Sequence, residues 1–186
     1  MNLDRLSDEE LKDIVLKKQL EYIKICQDDF LAFAKAVWPD FIYRNSKNPK
    51  KYGHHQLIAK SFENIASEKE KRLIINMPPR HTKSEFASYL FPAWMIGRNP
   101  KMKIMQVSHN AELATRFGSK VRNLMETEEY KMIFGDVKLR EDSKAKGRWE
   151  TNHGGEYFAA GVGGAITGRG ADLLIIDDPH SEQDSM

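Results

Sequence analysis

From residue 54 onward, short apolar runs alternate with longer amphipathic ones, and this alternation restricts the fold more than any other feature of the chain. Arg72-Leu73-Ile74-Ile75-Asn76-Met77, Lys103-Ile104-Met105-Gln106-Val107 and Asp172-Leu173-Leu174-Ile175-Ile176 have the length and composition of buried strands. Between them, His54 to Ser67, Ser84 to Gly97 and Ala111 to Phe134 read as helices, the last a single long one ending near Gly135. Trp149 to Gly170 is richer in glycine and less regular, with a strand-like piece at Glu156-Tyr157-Phe158-Ala159. Strands alternating with helices make parallel βαβ units, which bind ligands at the carboxyl ends of the strands. The expectation is an α/β fold with a mainly parallel sheet flanked by helices.

An N-terminal helical segment, residues 1–42, precedes a core over 43–186. Ser7-Asp8-Glu9-Glu10 has the serine-to-glutamate spacing of a capping box, and Leu11, Ile14, Val15, Leu20, Tyr22 and Ile23 follow at mostly helical intervals. A second helix, Phe30 to Val37, ends at Trp38-Pro39, where the proline disfavours helix at the residue before it. Tyr43 to Gly53 is polar, basic and rich in turn formers, hence a loop. The 186 residues are enough for one core, and 29 basic against 27 acidic side chains leave a net charge of +2, which excludes a basic nucleic-acid tail. Lone Cys26 excludes an internal disulfide and a cysteine-based zinc cluster. The apolar runs fall short of the roughly 20 residues of a bilayer span, and Met1-Asn2-Leu3-Asp4 opens no signal peptide. A soluble, unexported protein without a membrane partner is expected. Further strands are expected beyond Pro179, so the chain reads as part of a longer polypeptide.

Two motifs carry the chemistry. Leu73 to Met77 runs through Pro78-Pro79-Arg80-His81-Thr82 into a helix that opens with Lys83-Ser84. In a phosphate-binding loop of this kind, backbone N–H groups and the helix N-terminus cradle phosphates, the lysine reaches the β- and γ-phosphates and the serine hydroxyl ligates Mg²⁺. The usual pattern has glycine where this chain has Met77 and Thr82. A plain strand-turn-helix with a surface lysine is the alternative for this segment alone. The second motif is Leu173-Leu174-Ile175-Ile176-Asp177-Asp178, an apolar strand ending in two carboxylates; one can hold Mg²⁺ and the other polarise the attacking water. Alone it could be a strand end with a capped turn. The two together favour a nucleotide site.

Pro78-Pro79-Arg80-His81-Thr82-Lys83-Ser84-Glu85 and Leu173 to Pro179 resemble the Walker A and Walker B segments in the ATPase domain of the tailed-bacteriophage terminase large subunit. The resemblance covers about residues 30 to 186. It implies a P-loop NTPase fold of the ASCE type, ATP and Mg²⁺ as cofactors, and ATP hydrolysis that drives double-stranded viral DNA into the procapsid. Pro79, Arg80, His81, Thr82, Lys83 and Ser84 would line the phosphates, Ser84 and Asp177 would hold the metal, and Asp178 would orient water. Lys83, Arg80 and Arg169 would act on the transferring phosphoryl group. Arg169 lies in Gly161 to Asp172, where five glycines surround a single arginine, and would reach a neighbouring subunit's site in a homo-oligomeric ring. Gln56 of His54-His55-Gln56 is similar to an adenine-reading glutamine. Met105 to Asn110 resembles a DNA-coupling strand, whereas Lys120, Arg122 and Lys131 read as a solvated face balanced by Glu126, Glu128 and Glu129. The resemblance further implies a portal protein and terminase small subunit as partners, a place in the host cytoplasm at the procapsid portal, and no nuclease centre in this chain. Two other readings stay open: another DNA-dependent translocase or helicase, and a non-hydrolysing interaction fragment.

Overall fold

The computed structural model describes residues 7–38, 40, 53–164, 166 and 168–180, so the expected loop from Tyr43 lies outside the described residues up to Tyr52. Helix α1 (Asp8–Asp28) starts with the expected capping box: Ser7 Oγ accepts the Glu10 amide and the Glu10 carboxylate accepts the Ser7 amide. Asp29 then accepts the Ala32 amide at 2.6 Å and caps α2 (Phe30–Val37). α2 buries Phe30, Phe33, Ala34 and Val37. Phe30 meets Phe62, Phe86, Phe91 and Trp94 with ring centroids 5.3 to 5.9 Å away, in the edge-to-face arrangement that the aromatic quadrupole favours. These partners come from α3 (His54–Ala66), from the turn after the phosphate-type loop and from α4 (Phe91–Arg98), so α2 shares one core with the segments behind the sheet.

Among the described residues the sheet has five strands in the order β2-β3-β4-β1-β5, namely β1 (Lys103–Ser108), β2 (Leu139–Ala145), β3 (Arg148–Thr151), β4 (Glu156–Gly161) and β5 (Leu173–Ile176). β1 lies parallel to both β4 and β5, whereas β3 pairs antiparallel with β2 and β4. The sheet is therefore mixed rather than mainly parallel: residues 139–161 fold back on themselves in short antiparallel connections that need no helical crossover. Helix α5 (Ala111–Met125) packs on this side, where Trp149 stacks on Tyr157 at 4.9 Å and donates to the Gly118 carbonyl. Only glycine fits at 118, since a Cβ there would stand 2.9 Å from the Lys146 carbonyl oxygen.

Three expected elements differ. The expected helix Ala111 to Phe134 is two, α5 and α6 (Glu128–Phe134), because Thr127 donates to the Leu124 carbonyl and accepts the Tyr130 amide, which ends one helix and caps the next. The expected helix Ser84 to Gly97 contains a π-helical turn, Glu85–Leu90, before α4. Pro92 has no N–H to give the residue four before it, and the Phe91 amide bonds Phe86 five residues back. Arg72–Met77 is not a strand. Its exposure alternates as a strand's would, but among the described residues no ladder or backbone hydrogen bond joins it to a neighbour. No described helix is long and apolar enough to cross a membrane.

Candidate nucleotide site

The loop after Met77 crosses the carboxyl end of the sheet and enters the next helix, whose first backbone bond runs from the Phe86 amide to the Thr82 carbonyl at 2.9 Å. Arg80 and Thr82 both have left-handed backbone, at φ 64° and 67°. Thr82 occupies the place where the common phosphate-loop pattern has its second glycine, so this chain keeps a glycine-type conformation with a β-branched residue. The Thr82 hydroxyl donates to the His81 carbonyl and accepts from Nε2 of buried His55 at 2.8 Å. His54 and His55 thus lie against the loop: the His54 and His81 rings are 5.8 Å apart.

Lys83 stands where the two motifs meet. Its ammonium lies 3.2 Å from Asp177 and also bonds Asp178, 95 positions away in sequence. Burial alone lowers the pKa of Lys83, but hydrogen bonds and the negative charge of Asp178 and Asp177 outweigh it, and the net shift is upward. Asp177 is buried, and its second carboxylate oxygen accepts from Ser88 at 2.8 Å. The Gln106 amide in turn donates to Ser88 at 3.0 Å, so a polar chain runs from β1 through the π-helical turn to the acid. That chain fixes Asp177 with one oxygen toward Lys83. Asp178 has left-handed backbone, φ 45°, and its carbonyl accepts the His109 amide at 3.0 Å, which ties the end of β5 to the end of β1. The loop lysine thereby meets the acids at the end of β5, and the end of β1 holds those acids from the other side.

The remaining expected residues divide. Ser84 sits beside Lys83 at the helix start; the Pro79 carbonyl accepts from His81 at 2.9 Å within the loop; Arg80 is exposed on it. Gln56 turns its amide oxygen back on the Gly53 amide at 2.8 Å, closing the N-terminus of α3. Arg169 is not brought to the site. It bonds Glu156 at 3.2 Å and lies over Phe158 at 4.0 Å, at the amino end of β4. Roughly 15 Å of strand separate that end from the carboxyl end where Lys83 lies. Lys120 is no free solvated lysine either: it pairs with Glu85 and rests over Tyr89 at 4.7 Å.

Ser88 and Gln106 join the candidate site through the hydrogen-bond chain to Asp177; no motif singles out Ser88, and Gln106 enters the sequence reading only as part of the stretch Met105 to Asn110. One signal existed: Gln106 is a polar residue inside an apolar strand run, and a buried amide needs a partner. Gln106 Oε1 and Ser108 Oγ are buried without a hydrogen-bond partner among the described residues, on β1 beside the strand that leads to the acid pair.

The donor set suits Mg²⁺, which binds oxygen through one or two carboxylates plus substrate phosphates. Asp177, Asp178 and the Ser84 hydroxyl are of that kind. Compared with protein-family models, curated proteins and solved structures, the chain matches none.

Proposed function

We propose that this chain is the ATP-hydrolysing motor portion of a terminase large subunit, using Mg²⁺ and ATP to move double-stranded viral DNA into a procapsid. One observation carries the reading: the lysine of the loop-to-helix motif and the acid pair of the strand-end motif, far apart in sequence, converge at the carboxyl end of a parallel strand pair. Chance placement of a surface lysine and a capped turn does not require that meeting.

In this reading the loop amides and Lys83 bind the β- and γ-phosphates, and the phosphates take over the ammonium from Asp178. Ser84 and Asp177 would hold Mg²⁺, which when bound would neutralise charge on the phosphates. The Ser88–Gln106 chain keeps Asp177 in place, and Asp178, released from Lys83, orients the attacking water. Arg80 approaches the γ-phosphate from the loop. Arg169 lies at the far end of the sheet from its own site and so acts on the site of the next subunit in a homo-oligomeric ring. Viral duplex DNA, a portal protein and a terminase small subunit are the partners this reading carries.

The test is ATP hydrolysis with and without double-stranded DNA. The chain should hydrolyse ATP only with Mg²⁺, and Lys83→Ala or Asp178→Asn should lower the rate by about a hundredfold or more. Equal hydrolysis by chain and variants would remove the proposal.

A further inference from the structure

His55 and Thr82 join the start of α3 to the loop that carries Lys83. His55 is 1% exposed, and its Nε2 stands 2.8 Å from the Thr82 hydroxyl oxygen. A hydroxyl has a single proton, and Thr82 gives its own to the His81 carbonyl, so the imidazole N–H is the donor in this pair. The surroundings of His55 fix its ring. Gln56, the next residue, closes the N-terminus of α3 on the Gly53 amide, and the His55 ring lies against Phe86 with centroids 5.1 Å apart. Phe86 is fully buried, and its amide bonds the Thr82 carbonyl at 2.9 Å. Thr82 is therefore held by main chain and side chain together: its carbonyl by Phe86, its hydroxyl by His55 and His81.

That grip falls on the residue that most needs it. At φ 67° a β-branched residue is strained, and such a conformation persists only where its surroundings impose it. Lys83 follows directly, so the course on which the ammonium and the next amides leave the loop depends on Thr82. We propose that His55 is a positioning residue for the phosphate loop: by donating to the Thr82 hydroxyl it holds Thr82 in the left-handed conformation that glycine would adopt unaided, and so sets Lys83 and the loop amides for the phosphates. This role rests on the nucleotide reading of the site. It makes His54-His55-Gln56 act on the phosphate end of the nucleotide, with Gln56 acting through the helix start that carries His55.

Calorimetric titration of Mg–ATP into the chain and four variants tests this. Thr82→Val keeps the shape of the side chain and removes the hydroxyl; His55→Phe keeps a ring against Phe86 and removes the donor. Each should weaken Mg–ATP binding by about tenfold, the scale of one lost hydrogen bond. Thr82→Gly should stay within about threefold of the chain, because glycine holds a positive φ without an anchor. The decisive variant combines His55→Phe with Thr82→Gly: there the His55 change should cost less than about threefold, so that the two are strongly non-additive. A histidine that only fills the core would cost the same with or without Thr82→Gly, and that result overturns the proposal. Full affinity in Thr82→Val overturns it too, and this arm keeps the buried histidine, so it stands even if His55→Phe fails to fold. Failure of the unaltered chain to bind Mg–ATP removes the nucleotide reading and this role with it. Binding by the chain with additive losses in the variants removes the role of His55 alone.

Discussion

β1 and Leu73–Met77 are similar runs of aliphatic residues, each leading into a loop at the carboxyl end of the sheet, yet they end in opposite conditions. β1 has β4 on one side and β5 on the other, and its Ile104 is 2% exposed. Leu73–Met77 has no strand at either side among the described residues, and its Ile74 is 87% exposed. The difference teaches that an apolar run is a strand only through its neighbours: β-propensity measures fit to a pleated, half-buried surface, and without that surface the run stays unpaired.

The sharpest way to break the comparison is to truncate the same residue type in both places. Ile104→Ala should cost about 2–5 kcal/mol through lost burial and a cavity, whereas Ile74→Ala should stay within about 0.5 kcal/mol, both read from urea unfolding. Comparable losses would mean that Leu73–Met77 is as packed as β1. Next in size is Gly118→Ala on the closed side, where the added methyl meets the Lys146 carbonyl; a loss of about 1–3 kcal/mol in the same assay is expected. On the open side the sign should reverse. Arg80 holds a left-handed backbone without a described partner, so Arg80→Gly should gain about 1 kcal/mol in thermal unfolding while lowering ATP turnover, a trade of stability against function.

The smallest effect concerns pH. The Lys83 pKa is raised on folding above its ordinary 10.5, so the contact with Asp177 and Asp178 contributes fully below that value and is lost as pH climbs through the higher folded one. The chain should therefore lose more stability than Lys83→Met as pH rises above 10.5, by less than about 1 kcal/mol for so accessible a lysine. Parallel losses would show that the ion pair adds nothing in solution.

Much of this arrangement was legible in local sequence. The capping box at Ser7, the stop before Pro39, β1 and β5 all follow from nearest-neighbour chemistry, and the structure has each of them apart from Pro39 itself, which lies outside the described residues. The meeting of Lys83 with Asp177 and Asp178 was legible as well, because an apolar run before the lysine and another before the acids, in an alternating strand-helix pattern, point to one end of a sheet. What escaped depends on contacts between distant segments. The antiparallel course of β2 and β3 is set by Trp149 stacking on Tyr157 and bonding Gly118, a partner 31 positions away. Ser88 reaches Asp177, 89 positions on, from the π-helical turn ahead of Pro92. Arg169 has the composition of a mobile finger around it, but Glu156 and Phe158 hold it at the far end of the sheet.

The central claim is that Lys83, Asp177 and Asp178 form a phosphate-binding centre, and calorimetric titration of Mg–ATP into the chain and into Lys83→Ala tests it most directly. The account predicts saturable binding by the chain and a loss of about a hundredfold or more in affinity for a Lys83→Ala variant that unfolds at a comparable temperature. Absence of binding by the unaltered chain, or equal affinity in the variant, would contradict it.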